Sequence, residues 1–295
     1  MKNSENKFLR RLKRRWKQID GVTYLLLIFI IVLCLWQAGV LHIILGQTYS
    51  QLPFPFNKTF TTENALTHAV TTTSSIGIFN YALSNFGTMM YNAGVTLAAL
   101  IPGYAAGALL GYGCALLATL CRKWGGGILV VLTILVSAPV VALAPAVNNM
   151  FGSEAPYAAK IVIVIVTCAA GMAVNAYKGL NTVKPFSGDL MEICSATKAV
   201  SFLKLRLPAS LPNVFTALKI NVATAMTAVF ISEIYAYTTS IGLGKVFKTA
   251  FDTQNRTAAW AYIFLAVVIG LVMYMIVALI EKRAIRWHAS QRKVS

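Results

Sequence analysis

Apolar residues in this chain gather in long unbroken runs. Six runs reach the roughly 20 residues needed to cross a bilayer, at 22–45, 92–118, 126–148, 157–179, 213–237 and 258–280. The first is too long for the apolar stretch of a signal peptide and lacks a small-residue cleavage site, so it reads as a retained span. The pattern predicts an all-α integral membrane protein with six transmembrane helices. Residues 46–85 turn polar, with "LPFPF" and "TFTTENALTHAVTTTSS", and read as a connection that is extended at its prolines. The chain then divides into a tail (1–20), a first helix with its external segment (21–85), the main transmembrane domain (86–288) and a second tail (289–295).

One polar block interrupts the greasy half: "DLMEICSATKAVSFLKLRLPASLP", residues 189–212. Leu190, Ile193, Ala196, Val200 and Leu203 recur at spacings of three and four, while Glu192, Ser195, Lys198 and Ser201 fall elsewhere. That is one apolar stripe on a short helix. Asp189, with Glu192 three residues on, resembles a capping box at its start. Pro208 and Pro212 predict its end, with Pro212 as the first residue of span five. Such a helix lies on a membrane surface or docks in a partner's groove.

Composition agrees with the spans: 57% of residues are hydrophobic and 12% are charged. The net charge of +17 first suggests nucleic acid, but its placement argues otherwise. Lys and Arg number eight up to residue 20, two at Arg122 and Lys123, six from Lys178 to Lys219 and five from Lys282 on, 21 of 26 on one side. Cytoplasmic loops carry such an excess, so both termini are predicted inside. No nucleic-acid recognition motif accompanies the charge. The tail sequence "RRLKRRWK" suits anionic lipid headgroups.

The chemistry of an enzyme is missing. The nearest approach to a phosphate loop is "SIGLGKVF", where Val246 follows Gly244-Lys245 and Thr239 occupies the earlier glycine position. His42, His68 and His288 lack metal-ligand spacing, and the five cysteines form no C-x-x-C pair. Glu233 stands as the one clear acid inside a span. Either it snorkels to the outer interface or packs there, or it serves a substrate or a gate. Pro139 and Pro145 mark kinks of a pathway or of packing. Tyr235 and Tyr237 read as interface anchors.

Several of these segments together resemble the binding-protein-dependent ABC transporter permeases, within them the nitrate/sulfonate/taurine-type branch. Asp189-Leu190-Met191, then Ser195, then Leu205-Arg206-Leu207-Pro208 keep the spacing of that family's E-A-A, G and I-x-L-P motif. "SAPVVALAP" (137–145), "NAYKGLNTVKP" (175–185), "ISEIYAYTTSIGLGKV" (231–246) and "GVTLAALIPGYAAGALLG" (94–111) resemble other segments of the branch, in order. The resemblance implies a multi-pass permease subunit of an ATP-driven importer in the cytoplasmic membrane of a prokaryote. Its solute would be a small organic anion or a vitamin precursor. ATP would be bound by separate ATPase subunits, so no cofactor is expected on this chain. The partners implied are those ATPases, an extracytoplasmic solute-binding protein, a second copy of the chain and membrane lipid. Asp189, Glu192, Ser195, Lys198, Leu203, Leu207 and Pro208 would form the cytoplasmic coupling helix between spans four and five. Pro139, Pro145, Asn175, Tyr177, Glu233, Gly242 and Gly244 would belong to the translocation pathway or its gate. The competing reading is a secondary transporter independent of any ATPase, which calls for repeats or charged pairs inside the membrane.

Overall fold

The computed structural model describes residues 21–45, 52–63, 70–121, 125–137, 139–152, 155–183, 186–236 and 241–287. Both basic tails, Arg122 and Lys123, and Tyr237 lie outside the described residues. Two compact units emerge, one built from residues up to Ser84 together with Arg256–Ala258, the other from the rest.

In the first unit, helix α1 (Gly21–Ala38) ends where Gly39 takes φ 88°, and a short α2 (Val40–Leu45) follows. The first predicted run is therefore two helices, because a positive φ ends a right-handed helix. His42 is buried, stacks on Phe54 at 4.5 Å and bonds the Leu52 carbonyl through Nε2 at 2.6 Å. Strands β1 (Lys58–Glu63) and β2 (Val70–Ser75) form an antiparallel hairpin in the register Lys58↔Ser75 to Glu63↔Val70. This hairpin departs from the all-α expectation; its Thr-rich strands favour pleated backbone. Asn57 Oδ1 accepts the Gly77 N–H at 2.7 Å and leads the chain into α3 (Ile78–Ser84).

The second unit is helical among its described residues. Its elements are α4 (Phe86–Leu120), α5 (Gly125–Ser137), α6 (Val140–Phe151), α7 (Pro156–Asn181), α8 (Ser187–Ile193), α9 (Lys198–Ile234), α10 (Leu243–Asp252) and, from Ala259 on, α11 (Arg256–Ala284). Helices α4, α7, α9 and α11 are long and apolar enough to cross a membrane. The third predicted run, 126–148, is broken into α5 and α6, with Pro139 extended at φ −65°, ψ 117° as the N-cap of α6. Proline has no N–H for the helix ladder and its ring clashes with the preceding turn, so a break here is what the residue enforces.

Small residues draw the long helices together. Gly103, Gly107 and Gly111 line one side of α4, flanked by the fully buried Ala99 and Ala115. A Cβ on Gly103 would meet Val164 Cβ at 2.8 Å, one on Gly107 would meet Cys168 Cβ at 2.8 Å, and one on Gly111 would overlap the Ala169 carbonyl. The four-residue period places all of them against α7, the small-residue seam by which membrane helices approach closely. The side of α7 facing α9 uses Gly171 and Gly179, with Asn221 Nδ2 donating to the Cys168 carbonyl at 2.9 Å. Helix α11 is largely exposed along its apolar length, which leaves that surface for lipid or another protein.

Candidate functional site

The deepest polar feature sits where α9 ends. Glu233 and Lys160 are 0% and 1% exposed, and Lys160 Nζ lies 3.2 Å from Glu233 Oε1. The expectation that Glu233 stands alone in its span, or snorkels to an interface, is corrected by this geometry. Lys160 is the fifth residue of α7, and that helix turns it inward onto α9. A charge inside the membrane is tolerated when paired and hydrogen-bonded, and Glu233 has both supports. The Thr96 hydroxyl, from α4, lies 3.0 Å from each carboxylate oxygen. The Gly244 N–H donates to Oε2 at 2.9 Å.

The segment entering α10 is built around that carboxylate. Gly242 N–H donates to Asn92 Oδ1 at 3.1 Å and Leu243 N–H to Thr96 Oγ1 at 2.9 Å, so with Gly244 three consecutive donors end on side chains. Helix N-termini leave such donors without partners of their own. Gly242 has φ 154°, and a Cβ on it would overlap the Glu233 carboxylate, so glycine is required twice over. On the other side, Asn148 of α6 donates to the Ser232 carbonyl at 2.9 Å. The cluster thus draws on α4, α6, α7, α9 and α10.

The second region is residues 187–208. The stripe from Leu190 to Leu203 predicts a single short helix; the chain instead makes α8, a turn, and the start of α9. Phe186, at φ 65°, is the N-cap of α8, so Asp189 lies in the first turn rather than at the cap, and the capping box is not formed. Ser195 has φ 51°. Its N–H donates to the Glu192 carbonyl and the Ala196 N–H to the Met191 carbonyl, both at 2.9 Å. These two bonds with a left-handed residue between them are a Schellman motif, which normally takes glycine at the Ser195 position. Thr197 then caps α9, its Oγ1 accepting from Val200 N at 3.4 Å.

Pro208 does not stop that helix, and Pro212 is inside it. Residues Phe202–Arg206 widen into a π turn, with the Leu207 N–H reaching the Phe202 carbonyl. The wider turn absorbs the missing N–H of Pro208, as π-bulges do where a helix must continue past a defect. The apolar stripe survives only as exposure: Leu190 is 59%, Ile193 80% and Leu203 61% accessible. Glu192 and Lys198 are exposed beside them.

Of the other pathway candidates, Gly242 and Gly244 join Glu233, whereas Asn175 bonds its own helix at the Gly171 carbonyl and Tyr177 packs against the apolar cluster that includes Ala115, Met172, Leu180 and Val214. Pro145 lies within α6. Sequence reading missed Lys160, Thr96, Asn92 and Asn148. A signal existed in the Asn92–Thr96 pair, two polar residues four apart that share a helix face inside an apolar run.

These helices, with the buried Lys160–Glu233 pair among their described residues, define a multi-pass membrane protein. The family described as binding-protein-dependent transport system inner membrane component matches residues 103–286, and the chain belongs to it. The match includes Lys160, Glu233 and the whole of 187–208. Formylaminopyrimidine transport permease protein ThiX of Halalkalibacterium halodurans is 26% identical over 153 residues, 52% of this chain and 60% of that protein. A probable ABC transporter permease protein of Haemophilus influenzae is 29% identical over 180 residues, 61% and 72%. Nitrate import permease protein NrtB of Leptolyngbya laminosa is 23% identical over 127 residues, 43% and 45%. Two solved structures share the fold. An amino acid ABC transporter with histidines has TM-score 0.58 at 14% identity over 70% of this chain and 98% of that one. The MetNI methionine ABC transporter, in inward facing conformations, has 0.56 at 20% over 68% and 97%.

Proposed function

We propose that this chain is the permease subunit of an ATP-driven ABC importer, carrying a small solute across the cytoplasmic membrane. The observation that carries the reading is the exposed α8, closed by a left-handed residue at the family's glycine position and joined to a helix that runs unbroken through the protein. An isolated seven-residue helix is unstable in water; one that presents Leu190 and Ile193 outward is suited to a partner's groove. The partner that fits is an ABC ATPase, two copies for two permease chains, with ATP hydrolysis residing there. A solute-binding protein would deliver cargo on the opposite face.

In this reading both termini are cytoplasmic and the chain crosses six times, using α1 with α2, α4, α5 with α6, α7, α9 and α11. The 21-to-5 division of Lys and Arg supports that orientation. The solute class is a small organic anion or vitamin precursor. A relative named for formylaminopyrimidine supports the vitamin-precursor class, while relatives named for nitrate and riboflavin extend it to an inorganic anion and a vitamin.

The test is co-expression with a candidate ABC ATPase from the same genome. The pair should copurify and hydrolyse ATP, and the permease alone should not. Ile193→Asp, on an 80% exposed residue, should abolish copurification at unchanged membrane abundance, while Lys198→Arg should not. Full assembly by Ile193→Asp would overturn the docking role.

A further inference from the structure

Helix α9 spans 37 residues, about 55 Å, from the exposed turn at Thr197 to Glu233. Its π turn widens the helix without breaking it. A push at the Lys198 end is therefore delivered at the Glu233 end. What it moves there depends on how α9 grips its neighbours.

We propose that Lys160 and Thr96 are positioning residues which hold Glu233 as a clasp on the Gly242–Gly244 corner, so that movement of α9 is passed to α10 rather than lost as slippage. The proposal rests on the permease reading. Three successive backbone donors of the corner end on Asn92, Thr96 and Glu233, from two different helices. Glycine at 242 and 244 lets the backbone close onto the acid, since a Cβ at either would overlap α9. Burial of the pair leaves no solvent to exchange for these bonds, so sliding of the corner would leave the Gly244 N–H and a carboxylate lone pair unsatisfied. Two further contacts of α10 on this side, Phe230 against Phe247 at 5.4 Å and the Lys245 ammonium on the Ala236 carbonyl just past the end of α9, involve half-buried Phe230, Phe247 and Lys245 side chains. Lys160 supplies neutrality. Thr96 supplies orientation, touching both the carboxylate and the Leu243 N–H.

The experiment uses the full permease with its ATPase in lipid nanodiscs. A spin label is placed at Thr249→Cys, exposed on α10, with Cys34, Cys114, Cys121 and Cys194 replaced by Ser. Spectra are compared without nucleotide and after trapping with ATP and vanadate, and amide exchange is followed over residues 241–246. In the otherwise unchanged protein, trapping should alter the label's mobility and the corner amides should exchange slowly. Thr96→Val keeps the shape but strands the Leu243 N–H, and should speed corner exchange about tenfold. It should also remove most of the label response while ATPase copurification and hydrolysis persist. Lys160→Met should act likewise, and Lys160→Met with Glu233→Gln, which restores neutrality, should recover the response. A response that survives faster corner exchange overturns the clasp, as does unchanged exchange in Thr96→Val or a label silent to trapping in the parent. Failure of the parent to bind the ATPase overturns the permease reading instead.

Discussion

Ser195 offers a perturbation confined to the backbone. Its side chain is exposed, so substitution removes little packing, but its φ of 51° lies where a Cβ crowds the neighbouring carbonyl. An L-residue held there costs roughly 1–2 kcal/mol. Glycine avoids that crowding and gives back part of the gain, roughly 0.5–1 kcal/mol, because it is also freer when unfolded. A β-branched residue is the least suited to positive φ. If the ATPase recognises α8 only with its Schellman turn closed, the cost of closure is subtracted from binding. Ser195→Gly should then bind the ATPase a few-fold more tightly than the parent, and Ser195→Val should bind about tenfold more weakly than Ser195→Gly. The assay is titration of the ATPase onto each permease variant in nanodiscs, with the label-free affinity read directly. Equal affinities for the glycine and valine variants would refute the reasoning, since they would show that the turn at Ser195 is not kept in the complex. Weakened binding by glycine would refute it equally.

Three further outcomes follow from particular contacts. Gly111→Ala should lower thermal stability in detergent, because its Cβ overlaps the Ala169 carbonyl, whereas Gly113→Ala, which faces open space on the same helix, should be neutral or mildly stabilising. Lys219 and Glu281 pair at 2.7 Å between α9 and α11, at 22% and 12% exposure; Lys219→Met and Glu281→Gln should each lower the melting temperature, and the double variant should lose less than their sum, a coupling of about 1 kcal/mol. A cysteine at Thr62 should react with an impermeant thiol reagent applied to intact cells while one at Lys198 should not, and the reverse pattern would overturn the orientation.

Much of the architecture was legible along the chain because the bilayer imposes a one-dimensional rule. A run of apolar residues must be a helix, since every backbone polar group has to be satisfied within it. That rule located α4, α7, α9 and α11, and the spacing from Asp189 through Ser195 to Pro208 located the family. Local chemistry was less decisive than it looked. Asp189 and Glu192 suggested a cap, and Pro208 and Pro212 a stop, yet α8 begins at Ser187 and α9 runs through both prolines. The break fell at Ser195, where no residue type announces a left-handed turn. Proline effects depend on whether a wider turn can take up the missing donor, and Phe202–Arg206 does so.

The polar cluster was out of reach for a different reason. Lys160 and Glu233 lie 73 residues apart, and either alone reads as an isolated charge in an apolar run. Only the crossing of α4, α7 and α9, set by small residues at Gly103, Gly107, Gly111 and Gly171, brings Thr96, Lys160 and Glu233 within hydrogen-bonding distance. Hydropathy is a property of each residue and can be summed along a sequence, so it determined which segments enter the membrane. Pairing is a property of two residues and of the backbone between them, and tertiary packing decided it.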